Sequence, residues 1–96
     1  MLIEGVGGEK DLQVGRQWIE SAALSGYGAA QVKLATLYRD GVGGKRDAQQ
    51  ALNWLILAEK GGTASAKAAV PPLAKQLGKT GLKKAATFAD RFVPTP

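Results

Sequence analysis

Gly41 to Gly62 of this 96-residue chain reads GVGGKRDAQQALNWLILAEKGG. Glycines followed by a basic pair, at the head of an amphipathic stretch, are the residue types from which phosphate-binding loops are built. In such loops backbone amides and a lysine converge on the anion, and the pattern GxxxxGK[ST] sits between a buried strand and a helix. Here Lys45 follows GVGG directly and is itself followed by Arg46, and the preceding segment, Ala30 to Tyr38, has helical spacing. The spacing therefore predicts a glycine turn, needed for positive φ and for close approach of successive helices.

Little other catalytic chemistry is available. Histidine and cysteine are absent, which removes the commonest general base, the commonest metal ligand, the thiol nucleophile and any disulfide. No metal or cofactor is implied. The carboxylates Glu4, Glu9, Asp11, Asp40 and Asp47 fall at helix caps or in loops, leaving a glycosidase-like carboxylate pair as the one open enzymatic option. Trp18 and Trp54 could stack on bases or sugars, but both stand on an apolar face seven residues after an aspartate, where core packing is expected. Tyr38 shares a core face; Tyr27, at a helix start, is a candidate for partner contact.

The elements that must position these residues repeat. Gly5, Val6, Gly7, Gly8, Asp11, Gln13, Trp18, Ala22, Gly26, Ala30 and Leu37 recur 36 residues later as Gly41, Val42, Gly43, Gly44, Asp47, Gln49, Trp54, Ala58, Gly62, Ala66 and Leu73. A fixed period of this size marks units that bury their apolar faces by stacking on one another. Ala51, Trp54, Leu55 and Ala58 lie at i, i+3, i+4 and i+7, and Ala30, Leu34, Leu37 and Tyr38 make a second helical face. Asp47 is placed as an N-cap with Gln50 completing a capping box, Asp11 as an N-cap without that partner, and Gly26 and Gly61–Gly62 as helix stops. Gly15, where the second unit has Ala51, costs its helix about 1 kcal/mol. Pro71 and Pro72 predict a break in the helix that starts near Thr63, and a further helix is expected from Leu82 to Phe92, capped by Thr80.

This arrangement resembles the Sel-one-like repeat family, relatives of the tetratricopeptide repeats, whose units read roughly as alanine, leucine, tyrosine, then G.GV..D...A..W...A...G. The matching positions are Ala30, Leu34, Tyr38, Gly41, Val42, Asp47, Ala51, Trp54, Ala58 and Gly62. The glycine usual after the first-helix leucine is Ala35 here, still small enough for close packing. The resemblance implies an all-α fold, a right-handed α-α superhelix (α-solenoid) closed by a C-terminal capping helix. Residues 1–96 then form one domain, with a first repeat at about 5–40, a second at about 41–62 plus the following helix, and a cap at about 63–92. Met1 to Glu4 align with Leu37 to Asp40, so the chain is expected to start in the last turn of a helix, as a section of a longer repeat protein or with a partner supplying the rest.

For function, the resemblance implies a non-catalytic scaffold or adaptor that holds a peptide or partner domain on its concave surface, in the periplasm or cell envelope for a bacterial source. Family members linked to β-lactam binding carry a cysteine pair in each repeat, which this chain lacks. By tetratricopeptide-like geometry the concave stripe is Ile3, Ala29, Val32, Thr36, Arg39, Ser65, Ala68, Pro72 and Lys75, which suits a peptide with an acidic residue opposite Arg39 and Lys75. Charge offers an alternative. Residues 1–59 carry six basic and seven acidic side chains, whereas residues 60–96 carry seven basic ones against Asp90 alone. Lys79, Lys83 and Lys84 are the candidate anion site there, for a polymer such as peptidoglycan or exopolysaccharide. The aromatic interleaving of a single-strand binder is missing, so nucleic acid is not the expected partner. No apolar run approaches the roughly 20 residues of a membrane-spanning helix.

Overall fold

The computed structural model of the chain describes residues 9–94. In chain order they form α1 (Glu9–Leu24), α2 (Gly28–Asp40), α3 (Ala48–Lys60) and α4 (Ala64–Arg91), with no strand among the described residues.

Glycines end the helices at the same place in each unit. Gly26 after α1 has φ 98° and Gly62 after α3 has φ 96°, a region that a side chain rarely enters. Gly41 closes α2 in the left-handed conformation at φ 73°, its amide donating to the Leu37 carbonyl. At the start of α3 the Asp47 carboxylate accepts from the Gln50 amide at 3.0 Å, as expected of an N-cap. The other half of the capping box is different: the Asp47 amide donates to the Tyr38 carbonyl at 2.8 Å. That bond ties the head of α3 to the end of α2. Asp11 is not a cap, because α1 already begins at Glu9; Glu9 and Lys10 are better helix formers than aspartate and carry the helix past it.

The predicted break at Pro71 and Pro72 does not occur. Both lie inside α4, and the departure from helical geometry falls instead at Gly78, with φ 73° and ψ −167°. Two prolines remove the amides that would bond the carbonyls of Lys67 and Ala68. All four residues are exposed, so water can satisfy those carbonyls and the ring clash is relieved outward. Gly78 is the cheaper place to turn, since its backbone pair is accessible essentially to glycine alone. Helical geometry then resumes to Arg91, with Phe92 extended as C-cap two residues before Pro94.

α3 packs against both α2 and α4, and its interface with α4 is the most extensive among the described helices. Its apolar face is buried as the spacing predicts, at Ala51, Trp54, Leu55 and Ala58, together with Leu52 and Leu57. Trp54 is closed over by Phe88 and Phe92, which meet it edge-on at ring-centroid distances of 5.1 and 5.9 Å. Trp18 departs from expectation. It is 74% exposed where Trp54 is 4% exposed, because no described residue stands over α1 as Phe88 and Phe92 stand over α3. The two tryptophans should therefore differ on truncation. Trp54→Ala is expected to cost about 3–5 kcal/mol and Trp18→Ala within about 0.5 kcal/mol of nothing, as read by urea unfolding; equal losses would show that the cap does not bury Trp54.

Candidate functional site

The glycine loop faces the wrong way for an anion. Arg16, half-buried on α1, donates to the Val42 carbonyl at 3.1 Å and to the Lys45 carbonyl at 3.4 Å. Its guanidinium lies 4.1 Å from the centroid of the Tyr38 ring. The amides of Gly41 and Val42 both donate back to the Leu37 carbonyl. The loop thus presents the Val42 and Lys45 carbonyls to a cation and spends the amides of Gly41 and Val42 on a helix end, unlike a phosphate cradle. Gly43, at φ 76°, has no room for a side chain, since a Cβ there would stand 2.6 Å from the Leu12 carbonyl oxygen. A cleft of about 460 Å³ remains between Leu12, Gln13 and residues 41–45.

Of the expected concave stripe, Ile3 lies outside the described residues. Ala29 and Arg39 on α2 and Ser65, Ala68, Pro72 and Lys75 on α4 are exposed, while Val32 and Thr36 are half-buried. Thr36 turns its hydroxyl onto the Val32 carbonyl at 3.1 Å, and Val32 packs on the edge of the core. α2 and α4 come close where Gly28 lies against Thr63, the residue that precedes α4, leaving no space for a side chain at Gly28. Arg39 is already engaged: it makes two bonds to its neighbour Asp40, at 3.0 and 3.2 Å. The hydrogen bond from Arg39 holds the Asp40 carboxyl below its ordinary pKa, and the same bond raises that of Arg39.

The Sel1 repeat model matches residues 1–27 and 28–62, the second match taking α2 and α3 together. The chain belongs to the Sel1 repeat family. Comparison with curated proteins and with solved structures gives no match. Sel1 repeats form helical, solenoid-like arrangements and are generally protein-interaction modules, typically without catalytic activity. Among the described residues no helix is long and apolar enough to cross a membrane, and no group of three or more potential ligands could hold a metal ion.

Two interactions in this Sel1 repeat chain escaped sequence reasoning. Arg16 stands in register with Ile19 and Ala23 on the inner face of α1, and a basic residue in that register was the available signal. Gln31 is buried and donates to the Ala23 carbonyl at 3.1 Å, joining α2 to the end of α1. It lies at i, i+3, i+4 with Leu34 and Ala35, so its spacing marked it as core. Lys79, Lys83 and Lys84 are all exposed; Lys83 and Lys84 flank a shallow hollow of about 400 Å³ shared with Thr80 and Thr87.

The Arg39–Asp40 pair can be checked by titration. By NMR, Asp40 should titrate below an ordinary aspartate and move up in Arg39→Gln. With the folded pKa depressed, any stability from the pair is present above the unfolded carboxyl's pKa and is lost as pH falls through the folded value. An unmoved Asp40 would mean the pair is not held in solution.

Proposed function

We propose that this Sel1 repeat chain is a non-catalytic adaptor that holds an extended or helical peptide, or a segment of a partner domain, along the outward stripes of α2 and the first half of α4. The observation that carries this reading is the run of small or short exposed side chains, Ala29, Ser65 and Ala68, beside half-buried Val32. Such a surface admits close backbone approach and offers modest apolar area. Arg39 and Lys75 mark its far end with positive charge. An acidic ligand residue would compete with Asp40 for Arg39, so it should add selectivity more than affinity. Charge reversal by Arg39→Glu is expected to weaken partner binding by roughly tenfold, about 1.4 kcal/mol, with an unchanged melting temperature. A photo-crosslinker at Ala68 should capture the partner. Capture through Thr87 instead, with affinity indifferent to Arg39→Glu, would move the site to the cap.

A second reading rests on the exposed lysines of the cap, where Lys83 and Lys84 flank the hollow at Thr80 and Thr87. There the ligand would be an anionic envelope polymer. Retention on peptidoglycan or heparin should then fall steeply between low and physiological salt, where the screening length shortens to about 8 Å, and again when Lys79, Lys83 and Lys84 are changed to glutamine. Retention insensitive to both leaves the lysines as a solvated face.

A further inference from the structure

Trp18 and Trp54 hold the same position of the repeat, but among the described residues only Trp54 is covered. In the second unit the cover is the part of α4 that follows Gly78. Phe88 and Phe92 close on Trp54, the Gln49 amide donates to the Gly81 carbonyl at 3.0 Å and to Asn53 at 2.8 Å, and Lys60 pairs with Asp90 at 2.7 Å. Leu57, on the same face, is buried. Gln49, Asn53, Trp54, Leu57 and Lys60 thus form the seat of the cap.

Carried back by 36 residues, the seat becomes Gln13, Gln17, Trp18, Ser21 and Leu24 on α1. All five are exposed. A hollow of about 250 Å³ lies among Gln17, Trp18 and Ser21, the counterparts of Asn53, Trp54 and Leu57. The glutamine that bonds the cap backbone and the tryptophan that meets its rings are identical in the two units.

We propose that this face of α1 is a second seat of the same kind, which takes an amphipathic helix from another polypeptide presenting two aromatic rings four residues apart, as Phe88 and Phe92 do. The chain's own cap cannot fill it while both rings are engaged on Trp54. The differences between the seats state the ligand's chemistry. Leu24 replaces Lys60, so the ligand carries an apolar residue where the cap has Asp90. Ser21 replaces Leu57, which leaves space beside Trp18 for a full aromatic ring. None of the five residues is charged, and Glu20, which shares their side of α1, is half-buried, so apolar contact at Trp18 and Leu24 carries the docking.

The test uses the whole chain with Trp54→Phe, leaving Trp18 as the sole indole, and a synthetic peptide of the cap sequence from Lys79 to Pro94. Trp18 emission should shift to the blue saturably as peptide is added. The peptide with Asp90→Leu should bind several-fold tighter than the parent peptide, and the peptide with Phe88→Ala and Phe92→Ala should give no shift. The proposal is overturned if Trp18 emission stays that of a water-exposed indole at millimolar peptide, or if the peptide lacking both phenylalanines works equally well. It is equally overturned if the shift follows protein concentration without peptide and sedimentation shows a dimer, since the face would then pair with a second copy. Should Trp54→Phe fail to fold, 5-fluorotryptophan in the parent chain reports the two indoles as separate NMR lines, and the same outcomes apply to the Trp18 line.

Discussion

Burial of Trp54 beneath Phe88 and Phe92 is the interaction on which the remaining packing depends. Among the described residues seven of the thirteen buried apolar side chains are alanines, five are leucines, and Trp54 is the only aromatic. Alanines let helices approach closely but remove little apolar surface each, whereas an aromatic side chain buries on the order of 150–250 Å². In a domain of this size a single such residue is a large share of the net stability. The cluster also fixes the course of the chain, because it requires α4 to turn at Gly78 and return along α3. The Lys60–Asp90 pair lies on the same path, but with both partners more than half exposed it adds little to what the rings contribute.

The repeat is therefore regular in sequence and irregular in structure. Helix ends were legible because they are local: Gly26 and Gly62 take nearly the same φ, and Asp47 caps the helix that its spacing announces. What was not legible depends on distant neighbours. Trp18 and Trp54 occupy identical positions, and only the presence of two phenylalanines more than thirty residues onward separates a buried ring from a bare one. Pro71 and Pro72 were misread for a related reason. Their cost is set by whether the orphaned carbonyls can reach water, and exposure of that side of α4 is a property of the assembled fold.

The same distinction bears on the site. Glycine loops invite a phosphate reading from composition alone, but the direction of the carbonyls decides, and here they are aimed at Arg16. Arg16 does for the first unit what apolar side chains do elsewhere: it joins α1 to the loop at residues 41–45 and stacks on Tyr38. A lysine would keep the charge but lose both the fork of bonds and the flat face against the ring. Among the described residues three exposed surfaces differ in chemistry, the small-residue stripes on α2 and early α4, the lysines on late α4, and the tryptophan face of α1.

These surfaces differ in how firmly they are held. Among the described residues α3 and α4 share the largest interface, α2 and α3 the next, and α1 and α2 a smaller one. α1 also contains Gly15, which has open space around it and nothing to gain from lacking a side chain, at a cost of about 1 kcal/mol against alanine. Its attachment combines the Arg16 bond to the loop and the Gln31 bond to Ala23 with apolar contact at Ile19 and Ala23. Regions of low local stability are where binding and ordering become coupled. A ligand that covers the outer face of α1 would stabilise it by mass action, and the gain would pass through Arg16 to the glycine loop and to Tyr38 at the end of α2.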